Sequence, residues 1–110
     1  MAFLHLAAQT SLLRMQKNDM SLEYSIMLNQ IQKLQKEEAD YVKQFDDDDD
    51  FDVDNDPEYQ RLFKEEQFIT TQSESLKNQI DVIESEISSL QTLTKNDVKA
   101  STQLSLLGGS

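Results

Sequence analysis

The chain contains no cysteine and no tryptophan, and its 110 residues include only two glycines and one proline. Without cysteine it forms neither disulfides nor thiolate metal sites. So few glycines and prolines leave little material for turns, which argues against sandwiches, barrels and βαβ units. His5 is the only histidine, and there is no glycine-rich phosphate loop, so no catalytic set can be assembled. These absences indicate a non-enzymatic, all-α protein.

Basic residues are also scarce, with 10 Lys and Arg against 21 Asp and Glu, a formal charge of −11. No basic stripe with interleaved aromatics is present, so nucleic acid is not an expected partner. The acidity is local, because residues 46–58 hold nine acids and no base. The rest of the chain has 12 acids and 10 bases, which is the mixed charge of ordinary helical surfaces.

Long hydrophobic runs are missing as well. The apolar start, residues 1–8, has no positively charged leader and is far too short to span a bilayer. We therefore expect no stable membrane insertion. The expected location is the cytoplasm, or outside the cell by an export route that uses no cleaved signal peptide.

The first arm, residues 1–45, carries apolar side chains at alternating steps of four and three. This spacing predicts an amphipathic helix with a narrow, coiled-coil-like seam. Asn18, Asp19 and Ser21 can cap helices, so we expect a possible break near residues 17–21. The seam positions are Leu6, Thr10, Leu13, Lys17, Met20, Tyr24, Met27, Ile31, Leu34, Glu38, Tyr41 and Phe45.

An acidic hinge follows at residues 46–56, where five consecutive aspartates repel one another and oppose helix formation. Asp56 followed by Pro57 is a helix-start signal. The alternating acids of the hinge could offer oxygen ligands to calcium or magnesium, but the spacing fits an EF-hand poorly. We expect weak cation binding at most and no other cofactor; the candidate ligands are Asp50, Asp52, Asp54 and Asp56.

The second arm, residues 57–94, repeats the four–three spacing. A short last helix and tail is expected over residues 95–110, ending at Gly108, a natural C-terminal cap. The seam of this arm consists of Tyr59, Leu62, Glu66, Ile69, Ser73, Leu76, Ile80, Ile83, Ile87, Leu90 and Thr94. The two arms predict an antiparallel helical hairpin with short extra helices at both termini.

Such a hairpin leaves apolar residues uncovered, both beside the seams and at the termini. Exposed apolar patches usually mark interfaces, so we expect homo-oligomers, or a partner protein, and take a monomeric four-helix bundle as the alternative. The expected interface residues are Phe3, Leu4, Leu6, Leu13, Met20, Met27, Leu76, Ile80, Ile83, Ile87, Leu90, Leu104 and Leu107.

The segment Asn55-Asp-Pro-Glu-Tyr-Gln-Arg-Leu62 resembles the proline-containing turn and Tyr-Gln helix of needle-type subunits of bacterial secretion systems. The two-arm layout is also similar to WXG-type subunits, although the chain has no tryptophan. The resemblance implies a filament or secreted helical subunit and carries over no functional residue. Two functions remain open: a self-assembling structural subunit forming a filament or tube, and an export chaperone or adaptor that presents apolar helix faces to a partner.

Overall fold

A computed structural model describes the backbone of residues 2–108 and the side chains of residues 4–100. It contains two long helices, α1 (Ala2–Lys43) and α2 (Pro57–Gly108), with a single short 3-10 helix, Val53–Asn55, between them. No strand occurs in the described backbone. The two long helices pack against each other as an all-α helical hairpin, which confirms the predicted fold class.

The four–three spacing identifies the packed face of both helices. Every seam position predicted in the first arm is buried or half-buried, and so is every one in the second. The large apolar residues beside the seams are exposed instead, among them Leu22, Phe68 and Val82. A seam this narrow is expected where each helix has one neighbour, because two helices can cover only one face of each other.

The helices are longer and less interrupted than the sequence predicted. The expected break near residues 17–21 is wrong, because α1 continues through it. Lys17, Met20 and Tyr24 continue the seam across this stretch without a change of register, so tertiary packing outweighs the local capping tendency of Asn18 and Asp19. The separate last helix expected after residue 94 is also wrong, since α2 runs unbroken to Gly108.

The chain divides into two compact units, each built from segments of both helices. Unit 1 contains Met1–Ser21 and Asn78–Ser110, and unit 2 contains Leu22–Lys77, including the hinge. Unit 1 has four basic and five acidic residues, a formal charge of −1, whereas unit 2 has six basic and 16 acidic residues, a charge of −10. Almost all the net charge of the protein therefore belongs to unit 2.

The packed core is shallow. Its most buried apolar side chain, Leu62, is still 5% exposed, and no described side chain is completely enclosed. Several seam positions are polar and bond to their own helix: the Ser73 hydroxyl donates to the Thr70 carbonyl oxygen at 2.7 Å, and the Thr10 hydroxyl donates to that of Leu6 at 2.8 Å. Two helices alone bury little apolar area, so such a core contributes limited stability.

Candidate interaction surface and hinge

An open groove of about 650 Å³ lies between the two helical segments of unit 1. Leu12 and Val82 are prominent in its lining and are 57% and 58% exposed. Leu13 and Leu90 form the half-buried floor beneath them. Glu86 is the only charged side chain in the lining, and the remaining polar members are glutamine and serine. The groove is therefore apolar in the middle, nearly uncharged, and open to solvent.

The residues predicted as an interface separate into three groups. Leu76, Ile80, Ile83 and Ile87 are buried in the seam, where the opposite helix already covers their apolar area. Leu6, Leu13, Met20, Met27 and Leu90 are half-buried, and Leu4 is exposed. The side chains of Phe3, Leu104 and Leu107 lie outside the described residues. Apolar surface available to another molecule is therefore concentrated beside the seam.

Among the described side chains of unit 1, an ion pair links the two helices. The Lys17 ammonium lies 3.2 Å from Glu84 Oε1, and both side chains are partly exposed. Lys17 occupies a seam position, so its aliphatic stem covers part of the seam while its charge reaches the surface. An exposed pair of this kind fixes the register of two helices more than it stabilises them.

The hinge of unit 2 is packed against aromatic side chains. The rings of Phe45 and Phe51 are stacked, with centroids 4.2 Å apart and an interplanar angle of 9°. Tyr41, in the last turns of α1, meets Phe45 edge-on at 5.2 Å. These contacts fold the acidic segment back onto the end of α1. Charge repulsion alone would leave the segment extended. The aromatic contacts oppose that repulsion, together with backbone hydrogen bonds such as the one from the Phe51 N–H to the Asp48 carbonyl oxygen at 3.2 Å.

Aspartates within the hinge cap its backbone. Asp56 Oδ2 accepts the Tyr59 N–H at 2.9 Å, which makes Asp56 the N-cap of α2 as the sequence predicted. This bond, and a second one from the Tyr41 hydroxyl, lower the pKa of Asp56. The hydrogen bond to Asp56, together with partial burial, raises the pKa of Tyr41 to about 12. Asp56 therefore links the end of α1 to the start of α2.

The four candidate cation ligands do not converge on one point. Asp52 Oδ1 accepts the Asp54 N–H at 3.2 Å, and Asp52 Oδ2 accepts the Asn55 side-chain amide at 2.6 Å. Asp50 is exposed, and its own N–H donates to Asp48 Oδ1 at 3.0 Å. Within the described ranges no three His, Asp or Glu side chains come together as a metal-binding group. Weak cation binding stays a prediction.

Two carboxyl groups face each other across the seam of unit 2. Glu38 on α1 and Glu66 on α2 are each 9% exposed. Burial first, and then a hydrogen bond with Glu66 and repulsion by its charge, raise the pKa of Glu38 from 4.5 to about 7. Burying even one unpaired carboxylate costs free energy. Here two carboxyl groups are buried beside each other.

The sequence carries a signal for the carboxyl pair but none for the groove. Leu12 and Val82 stand beside the seam on the two arms, but the pattern within each arm does not show that they line one groove. Glu38 and Glu66 are seam positions of the two arms, and each lies 14 residues from Asp52. Equal distance from the hinge places them opposite each other in an antiparallel hairpin, and this symmetry could have predicted the pair.

Comparisons of the chain with known protein families, with curated proteins and with solved structures find no match. Along the described residues, no helix has the length and apolar character needed to cross a membrane.

Proposed function

We propose that this protein is a structural, self-assembling subunit, whose copies associate first through the groove of unit 1 and then into a filament or tube. The observation that carries the proposal is the exposure of Leu12 and Val82 on the groove. Large apolar side chains that adjoin on a surface usually mark an interface.

A second copy of the chain fits this groove better than a charged partner does. The groove lining has one charged side chain, Glu86, so two copies can meet there without burying several charges. Unit 1 has a net charge of only −1, and repulsion between copies is therefore small at this surface. In an isologous contact the same patch is used by both copies, so each residue of the patch contributes to the interface twice, once from each copy.

Growth beyond a dimer needs a second surface, and unit 2 has exposed apolar residues of its own. Leu22 is 64% exposed and Phe68 is 62% exposed. A second apolar contact made by such residues would allow open assemblies, whereas one isologous contact closes at the dimer. The shallow core gives a further reason for association, since added neighbours would cover apolar area that two helices leave in water.

The two surfaces can be tested separately by light scattering and negative-stain microscopy. We expect Leu12→Ser combined with Val82→Ser to produce monomers. The matched change in unit 2, Leu22→Ser with Phe68→Ser, should stop polymers but leave dimers. Circular dichroism of both variants should retain the helical signal, because all four side chains are exposed.

Two results would contradict the proposal. One is a wild-type chain that remains monomeric at its highest soluble concentration, which would favour the adaptor function instead. The other is an unchanged polymer after the paired substitutions in both units, which would show that these surfaces are not the contacts.

A further inference from the structure

The seam of unit 2 contains a pair of carboxyl groups among mostly apolar side chains. Glu38 and Glu66 are nearly as well buried as their neighbours Leu34 and Leu62, which lie one turn away on the same helices. Two ionised carboxylates in such a site would repel each other in a low-dielectric surrounding. The site therefore requires either a compensating cation or a proton.

One carboxyl oxygen of the pair has no hydrogen-bond partner among the described residues. Glu66 Oε1 accepts the Gln35 side-chain amide at 3.0 Å. Glu38 Oε1 is buried and has no donor among the described residues. If Glu38 is protonated, its hydroxyl can donate to Glu66, which satisfies a buried polar atom and removes one of the two charges. A single shared proton therefore supplies the missing hydrogen bond and also removes the repulsion between the two carboxylates.

No described side chain around the pair supplies a cation that could neutralise its charge in place of the proton. The positions one turn away are 34, 35, 41 and 42 on α1 and 62, 63, 69 and 70 on α2, and Tyr41 is the only titratable residue among them. The Tyr41 hydroxyl bonds to Asp56. Arg61, on the adjacent surface of α2, is 60% exposed and pairs with Glu58 at 2.6 Å and with Glu65 at 3.5 Å.

We propose that Glu38 and Glu66 form a shared-proton latch that holds unit 2 most tightly in mild acid and loosens it as the pH rises toward neutrality. Between pH 4.5, the usual value for Glu38, and about 7, its value in the folded chain, the folded state binds more proton than the unfolded state. Stability therefore falls as the pH rises through this window and levels off above it. The latch makes the packing beside the hinge sensitive to pH.

The test is thermal unfolding of the full-length chain between about pH 5 and about pH 8.5, at a concentration where it does not polymerise. The wild type should lose melting temperature as the pH rises. Glu38→Gln keeps a donor toward Glu66 without a charge, so its curve should be flatter and its melting temperature at the alkaline end higher, on the order of 5–10 °C. The control, Glu74→Gln, alters an exposed glutamate on α2, the helix that carries Glu66, and should follow the wild type.

A second variant and a direct titration separate the latch from a general effect of charge. Glu66→Gln should also flatten the curve, and combining both substitutions should add little, because either one removes the repulsion. Carbon-detected magnetic resonance of the glutamate carboxyls should show one group titrating near neutrality, and this signal should be lost in Glu38→Gln. A wild-type slope retained in Glu38→Gln would overturn the proposal. So would magnesium or calcium raising the alkaline melting temperature of the wild type and not of the variant, since a cation would then occupy the pair.

Discussion

Asp56 illustrates how a single residue can serve two helices. Its carboxylate caps the first turn of α2 by accepting a hydrogen bond from the Tyr59 N–H, and it accepts another from the Tyr41 hydroxyl of α1. Its backbone N–H also closes the short helix before it by bonding to the Val53 carbonyl oxygen at 3.3 Å. The sequence predicted the cap from Asp followed by Pro. It did not predict the bond from Tyr41, because a helix pattern carries no information about which hydroxyl reaches a cap.

Replacing Asp56 should therefore lower stability more than replacing another hinge aspartate. We expect Asp56→Ala to reduce the melting temperature at neutral pH by about 5 °C, because both the N-cap bond from the Tyr59 N–H and the bond from the Tyr41 hydroxyl are lost. Asp54→Ala is the control, because the bonds at that residue are made by its backbone. The pKa of Asp56 is lowered, so its contribution is present above its usual value of 3.8 and is lost as the pH falls through the lowered value. Equal melting temperatures for the two variants would contradict the capping role.

At the scale of the elements, the four–three spacing proved to be sufficient for the fold but not for the helix ends. It identified the packed face of both arms because apolar burial decides which side of a helix faces its neighbour. It could not decide whether α1 breaks near Asp19, since a capping residue is equally compatible with an exposed position inside a helix. It also could not show the groove, whose lining comes from two arms and depends on how they adjoin.

Proline at position 19 distinguishes a continuous helix from a broken one. If Asn18 capped a new helix, position 19 would be its first residue, where proline is accepted. Within the unbroken α1, Asp19→Pro removes a backbone hydrogen bond and should cost roughly 3 kcal/mol. Chemical denaturation monitored by circular dichroism measures this cost. Asp19→Ala is the control and should leave stability unchanged or slightly higher; a proline variant as stable as that control would restore the predicted break.

At the scale of the whole molecule, net charge and exposed groove belong to different units. Unit 2 carries −10 and unit 1 carries −1. The sequence predicted that the acidic residues are concentrated in the hinge. The division into units shows in addition that the unit containing the groove has almost no net charge. Repulsion between copies should thus restrain assembly without disrupting the contact surface itself.

Replacing the five aspartates 46–50 by serine tests this division. Repulsion between copies falls, so assembly should begin at a lower protein concentration, and added salt should produce the same shift in the wild type by screening. The helical signal should not change, because these side chains are exposed and serine can replace the cap at Asp48. Light scattering against concentration measures the first effect, and circular dichroism measures the second. Loss of helix in the serine variant would mean that the run has a structural role in the hinge.

The placement of the tyrosines gives the protein a built-in optical reporter. Tyr24, Tyr41 and Tyr59 are its only tyrosines, they all belong to unit 2, and there is no tryptophan to mask their emission. Intrinsic fluorescence therefore observes unit 2 alone, while circular dichroism observes both units. Two of the three rings flank the hinge, and a carboxylate that accepts a hydrogen bond from a phenol, as Asp56 does from Tyr41, quenches the emission of that phenol. Unfolding followed by both methods at once will show whether the two units melt together or in sequence, without any added label.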